Sequence, residues 1–182
     1  MKGFERKDQY LSLCGLNCQL CPMHLDGFCP GCGGGAGNQS CAIARCSLER
    51  GGVEYCFQCG AYPCQRYDHI DEFDSFITHR RRGEDMRRAQ KMGLERYRRE
   101  QEEKAALLKM LLQTCNAGRR KTFYCLAVNL LPLEDIQKVM EQLDGLQTVQ
   151  EREYRAVQAF EALAKQCGVT LKLRRKQKEK QK

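Results

Sequence analysis

The sequence predicts a small metal-stabilised, Cys-rich module joined to an α-helical bundle, mostly α with few short strands. Three observations point there. Ten of the 13 cysteines fall between Cys14 and Cys64. The stretch 10–67 is also rich in glycine and holds three of the four prolines, a composition that buries too little apolar surface to fold on a hydrophobic core. From residue 71 to 167, apolar side chains recur at helical spacing. A change of composition near residue 70 therefore divides the chain into a Cys-rich metal-binding module (1–69), a helical domain (70–171) and a basic, disordered tail (172–182).

The cysteines define the first part. The N-terminal stretch "MKGFERKDQYLSL" lacks an apolar core followed by a small-residue cleavage site. No apolar run approaches the roughly 20 residues of a membrane span. Both point to a cytoplasmic protein, where thiols stay reduced and ligate metal rather than pair as disulfides. The positions are Cys14, Cys18, Cys21, Cys29, Cys32, Cys41, Cys46, Cys56, Cys59 and Cys64, and all ten are candidate ligands. Three CxxC pairs stand among them: Cys18/Cys21, Cys29/Cys32 and Cys56/Cys59. Two intervening residues let a tight turn aim both sulfurs at one ion, the building block of tetrahedral zinc. Structural zinc takes four ligands, so ten thiolates serve about two ions with two spare. One partition joins Cys18, Cys21, Cys29 and Cys32. A second ion then draws four from Cys41, Cys46, Cys56, Cys59 and Cys64. A shared sulfur or a multinuclear cluster uses the count differently. His24 and His69 lie close enough in sequence to replace a thiolate, although a surface or capping role suits each better. Gly31, Gly33, Gly34, Gly35 and Gly37 surround Cys32, giving a loop the backbone freedom to wrap an ion.

The alternative metal is an iron–sulfur cluster. "CGLNCQLC" has the CxxxCxxC spacing of radical S-adenosylmethionine enzymes, and Cys21 and Cys29 each precede a proline. The radical reading fails on architecture, because the chain beyond the cysteines is mostly helical and too short for a barrel.

The helical part reads in order. Asp71 is a candidate N-cap for "IDEFDSFITH", with Phe73, Phe76 and Ile77 at helical spacing. His79 falls on that helix, Gly83 interrupts it, and "GEDMRRAQKM" runs to a second break at Gly93. From Leu94, a long helix places Tyr97, Leu108, Leu111, Leu112 and Cys115 on one face. Asn116 and Gly118 offer its stop. "TFYCLAVNLL" is a continuous apolar run that suits either a strand or a buried helix. Pro132 and Glu134 open the next helix, with Leu133, Ile136, Val139, Met140 and Leu143 as its stripe. A last helix over 147–167 carries Tyr154, Val157, Phe160, Leu163 and Ala164, and Gly168 ends it. "VTLKL" reads as a short strand, and Cys115, Cys125 and Cys167 as buried core residues.

The charge pattern names no firm partner. The formal charge is +8, and the last eleven residues, with seven bases and one acid, supply +6 of it. That tail offers a contact for an acidic or nucleic-acid partner. "HRRRGEDMRRAQKMGLERYRRE" holds nine bases, but Glu84, Asp85, Glu95 and Glu100 make a solvated, internally paired helix the better reading. "GRRKTFY" combines bases with aromatics, and core anchoring by Phe123 and Tyr124 explains the rings. No catalytic constellation of serine, histidine and carboxylate emerges, so the sequence leaves open whether the protein is an enzyme.

"CGLNCQLCP" at Cys14–Pro22, "CPGC" at Cys29–Cys32, "CAIARC" at Cys41–Cys46 and "CFQCGAYPC" at Cys56–Cys64 together resemble a prokaryotic family of uncharacterised Cys-rich proteins, the domain of unknown function 3795 family, with its Cys-Gly-Leu opening and closing Pro-Cys. The resemblance covers about residues 11–67. It implies metal binding and no reaction. A further CxxC after the helix, found in some relatives, is replaced here by "GRRKTFYCLAVNLL". The expectation is a cytoplasmic metal-binding protein with about two chiefly structural zinc ions, presenting a surface to a macromolecular partner. An iron–sulfur redox or oxidation-sensing protein, and a zinc-dependent enzyme or metal-handling protein, are the alternatives.

Overall fold

The computed structural model describes residues 2–35 and 41–176, so Gly37 and residues 177–182 of the tail lie outside the described part. The protein is mostly helical. Among the described residues seven α-helices run Pro22–Leu25 (α1), Ala42–Glu49 (α2), Arg82–Met92 (α3), Leu94–Thr114 (α4), Lys121–Leu130 (α5), Leu133–Glu141 (α6) and Val149–Gln166 (α7). Three single 3₁₀ turns, Cys18–Leu20, Cys56–Gln58 and Gln65–Tyr67, punctuate the Cys-rich part. β pairing among the described residues is one isolated antiparallel bridge between Leu11 and Asn17.

The bundle forms around α5. Its apolar run is helical, and residues from Tyr124 to Leu130 are all buried. Leu108, Leu111 and Cys115 of the α4 end, Ile136 and Val139 of α6, and Ala156 and Phe160 of α7 close around it. Local chemistry fixes the ends. Gly93 ends α3 and starts α4 with φ +89°, a left-handed conformation that glycine adopts without strain. Pro132 caps α6, and acidic Glu134 and Asp135 fill its first turn. Thr148 and Glu151 form a reciprocal capping box on α7.

The buried face of α4 is less apolar than its sequence stripe. Gln101 and Lys104 occupy it between Tyr97 and Leu108. Burial pulls the Lys104 amine down to about 8, and Asp85 partly offsets that pull. The amine donates at 2.7 Å to the carbonyl of Leu131, the residue that closes α5. Hydropathy alone cannot find a buried lysine that satisfies a helix-end carbonyl.

Four expectations are corrected. Residues 71–80 form no helix. Asp74 instead accepts from the His79 N–H at 2.8 Å and the Thr78 hydroxyl at 3.3 Å, folding the segment into turns and leaving Phe73 and Phe76 exposed. His79 therefore lies ahead of α3, beside Ser75, and Gly83 sits inside α3 rather than before it. "VTLKL" forms no strand. It crosses back over the 70–80 segment, where Arg80 donates to the carbonyls of Thr170 and Lys172. Residues 172–176 are thereby held rather than loose: Arg174 N–H donates to Asp74 Oδ2, Asp74 N–H to the Arg174 carbonyl, and the Arg174 guanidinium to the Asp71 carbonyl. Cys115 and Cys125 are buried, but Cys167 is exposed where α7 ends.

Five of the nine bases in the arginine-rich stretch, Arg80, Arg81, Arg82, Arg88 and Arg98, make internal ion pairs. Arg81 meets Glu84, Arg82 meets Asp71, Arg88 meets Glu100 and Arg98 meets Asp8.

Candidate metal centre

The Cys-rich part docks on the bundle through the residues between its cysteines. Leu20 joins the main core, and Leu11 and Tyr55 pack on Met86, Ala89 and Tyr97. Asn17, between Cys14 and Cys18, donates from Nδ2 to Asp85 Oδ2 at 3.0 Å and accepts from the Tyr97 hydroxyl at 3.0 Å. Asp8 accepts from the Tyr55 hydroxyl at 2.6 Å and from Arg98 at 3.0 Å. Burial raises the Asp8 carboxyl, but these hydrogen bonds outweigh it and leave the carboxyl below its ordinary value.

All 13 cysteines are free thiols. Nine of the ten candidate ligands fall into two neighbouring groups. The first surrounds Cys18, whose thiol burial pushes well above its ordinary value. Cys32, Cys14, Cys21 and Cys29 add to the rise. Cys18 opens a 3₁₀ turn and Cys21 is the N-cap of α1. Burial also raises Cys21, against the pull of the backbone N–H groups of Met23 and His24. Cys32 is raised by burial and drawn back by the Arg6 guanidinium and the Leu13 N–H. The 30–34 loop wraps tightly on residues 6–9. Gly31 has φ +95°, and a side-chain Cβ there would sit 2.4 Å from the Gln9 carbonyl oxygen.

The second group is Cys46 on α2, Cys56 and Cys59 at a 3₁₀ turn, and Cys64 before the next turn. Together they line a cavity of about 40 Å³ with Ile43, Val53, Tyr62 and Tyr67, and Arg50 and Arg66 stand at its rim. Burial raises the Cys56 thiol to about 11, the Tyr67 hydroxyl draws it back, and Cys14, Cys64 and Cys46 push it up. Arg50 hydrogen-bonds the Cys46 thiol and faces Cys59 and Cys64. The Tyr67 hydroxyl is buried against Cys56 and Cys14 without a partner in hydrogen-bond geometry. Cys41, the N-cap of α2, is exposed and does not line this cavity.

The two groups gather thiols without closing them. Among the described residues, no three His, Cys, Asp or Glu side chains converge closely enough to hold an ion. The histidines are occupied otherwise. His24 Nδ1 lies 2.9 Å from the Cys29 carbonyl, and His69 pairs with Glu72 in the open.

Sequence reading missed several neighbours of the thiols. Arg6, Arg50, Tyr62 and Tyr67 carry no motif, and only folding brings them near. Cys125 on α5 lies within electrostatic reach of Cys21. Burial first, then Cys21, raises its thiol to about 12. Compared with protein-family models, curated proteins and solved structures, the chain matches none. No helix among the described residues is long and apolar enough to cross a membrane.

Proposed function

We propose that the protein is a cytoplasmic zinc-binding protein whose ions chiefly hold the Cys-rich part in shape and so present its surface to a macromolecular partner. The observation that carries this reading is the cavity at Cys46, Cys56, Cys59 and Cys64. It offers four thiols, an unpartnered buried hydroxyl from Tyr67 and room of about 40 Å³. That space has room for one ion. Four cysteine sulfurs are the donor type of a structural zinc site, and they would close on the ion as it binds.

Burial raises Cys18, Cys21, Cys32 and Cys56. Neutral thiols clustered this way leave their polarity unused, and a divalent cation reverses the balance by stabilising the thiolates. Cys18, Cys21, Cys29 and Cys32 would hold the other ion. When bound, each ion supplies a charged centre that four sulfurs share. Arg6, Arg50 and Arg66 offset the excess negative charge, and the Tyr67 hydroxyl gains the Cys56 thiolate as acceptor. The resemblance of the cysteine motifs to the domain of unknown function 3795 family belongs to the same reading.

Anaerobic purification, elemental analysis and a visible spectrum test it. A colourless protein carrying about two zinc ions per chain is expected. A brown protein containing iron and sulfide overturns the zinc reading in favour of the cluster.

A further inference from the structure

A groove of about 740 Å³ lies between α5, the end of α7 and the chain segment that follows α7, a space of ligand size rather than a packing gap. Its floor is apolar. Phe123 and Leu126 of α5, with Val169, Leu171 and Leu173 of the segment, line it. Phe123, Val169 and Leu171 pack on the main core yet stay only half-buried, so apolar surface is left open. The segment is fixed from behind. Arg80 donates to the Thr170 and Lys172 carbonyls at 2.6 and 3.0 Å, and Asp74 and Arg174 exchange hydrogen bonds. The groove is therefore preformed, which spares a ligand the cost of ordering it.

The lining charge has one dominant sign. Arg120, Lys165, Lys172 and Arg175 stand against Glu161 alone. Glu153 lies 3.6 Å from Arg120, and Arg175 donates to the Ser75 carbonyl. Lys165 and Lys172 are exposed, and among the described residues their amines pair with no carboxylate. A basic rim around an apolar floor is complementary to a segment that sets apolar side chains among Asp and Glu. Residues 177–182, "QKEKQK", carry three lysines and one glutamate and have the wrong charge for this groove. Single-stranded nucleic acid fits less well, because the floor has one aromatic ring and otherwise aliphatic side chains rather than a stacking platform.

We propose that this groove docks an acidic, amphipathic peptide segment of a partner protein, with its apolar side chains on Phe123, Val169 and Leu171 and its carboxylates on Lys165 and Lys172. The surface belongs to the helical bundle, so the proposal does not depend on the zinc reading.

Fluorescence anisotropy on the full chain tests it. The probes are two fluorescein-labelled peptides of about twelve residues with Leu set among Asp and Glu, one at helical and one at alternating spacing. Versions with Lys in place of the acids, versions with Ser in place of Leu, and a single-stranded RNA of equal charge are the comparisons. Lys165→Glu combined with Lys172→Glu reverses the rim at two exposed side chains, and circular dichroism checks that its helices are intact. Lys91→Glu on α3 is the control. At least one acidic peptide should bind wild type and the control alike. The double reversal should weaken that binding at least about ten-fold and transfer preference to the Lys peptide. Replacing Leu by Ser should weaken it comparably. Failure of both acidic peptides to bind overturns the proposal, as does binding that the double reversal leaves unmoved. Equal binding of the Ser versions overturns the apolar floor's role and with it the proposal. RNA bound more tightly than either peptide, and lost on the same reversal, overturns it in favour of a nucleic-acid surface. A dimer in sedimentation that the reversal dissolves overturns it in favour of a second copy of the chain.

Discussion

Gly15 packs directly on Met86: a Cβ at position 15 would lie 2.4 Å from Met86 Cγ and 2.7 Å from the Arg82 carbonyl oxygen. The glycine follows Cys14, and the methionine is fully buried on α3. The residues between the cysteines are therefore the surface that seats the thiol-bearing loops on the helices. Against the expectation from composition, the Cys-rich part buries a small core of its own at Phe4, Leu13, Ile43 and Ala44, and this seating adds to it in ordering the part against α3 and α4.

Gly15→Ala is the first consequence. Position 15 has φ +98°, which disfavours any side chain, and the clash with the Arg82 carbonyl cannot be relieved by a rotamer change. The variant should lose about 2–4 kcal/mol in urea unfolding. Gly27→Ala, at φ +75° but with open space around it, should lose only the smaller backbone cost.

Tyr67→Phe separates metal binding from apo stability. Without metal the buried hydroxyl faces only the weakly accepting Cys56 thiol in poor hydrogen-bond geometry, so its removal should leave unfolding of the apo chain nearly unchanged. In the loaded protein the hydroxyl donates to the Cys56 thiolate, so zinc affinity should fall about 10–100-fold. Competition titration against a chelator reads the second effect. Equal affinity in both chains would show that the hydroxyl does not serve the metal.

Asp85 sets a pH dependence. Burial raises its carboxyl to about 6, and the cations Arg81, Lys104 and Arg88 only partly oppose the rise. A folded value above the unfolded one means the folded state binds the extra proton. The associated stability is complete below about pH 4 and is lost as pH rises through about 6. Asp85→Asn keeps an acceptor for Asn17 Nδ2 and removes the titration. Its unfolding free energy should lack the fall of about 1–3 kcal/mol seen in wild type across that window. Parallel curves for the two chains between pH 4 and 6 would contradict this.

The C-terminal segment should prove structural. Asp74 is buried and takes the Arg174 N–H at 2.8 Å and its guanidinium at 3.1 Å. Deleting residues 172–182 removes the Arg174 donors and leaves that carboxylate with the His79 N–H and the Thr78 hydroxyl, a loss of about 1–3 kcal/mol. Arg174→Ala keeps the backbone donor and should cost less. Thermal unfolding of both variants checks the order.

The helices α3, α4, α6 and α7 were legible from the helical spacing of apolar residues and from the marks of Gly93 and Pro132, whereas the continuous apolar run of α5 left strand and helix open and the Thr148 cap of α7 went unread. The 71–80 segment misled because Phe73, Phe76 and Ile77 imitate that spacing, while Asp74 makes the local hydrogen bonds that favour turns. Lys104 and Gln101 were invisible because their burial depends on Leu131 and Asp85, far away in sequence. The CxxC pairs named the thiols, but the grouping of Cys46 with Cys56, Cys59 and Cys64 arises only in three dimensions. Arg6, Arg50 and Tyr67 carry no spacing signature at all.

The most direct test of the metal account is segment-resolved hydrogen exchange on the reduced, zinc-loaded chain before and after chelation. The expected result is a loss of protection across 10–67, with α4, α5 and α7 keeping theirs, because thiol-held ions maintain the first region and apolar packing the second. Unchanged protection across 10–67 in the metal-free, reduced protein would contradict the account.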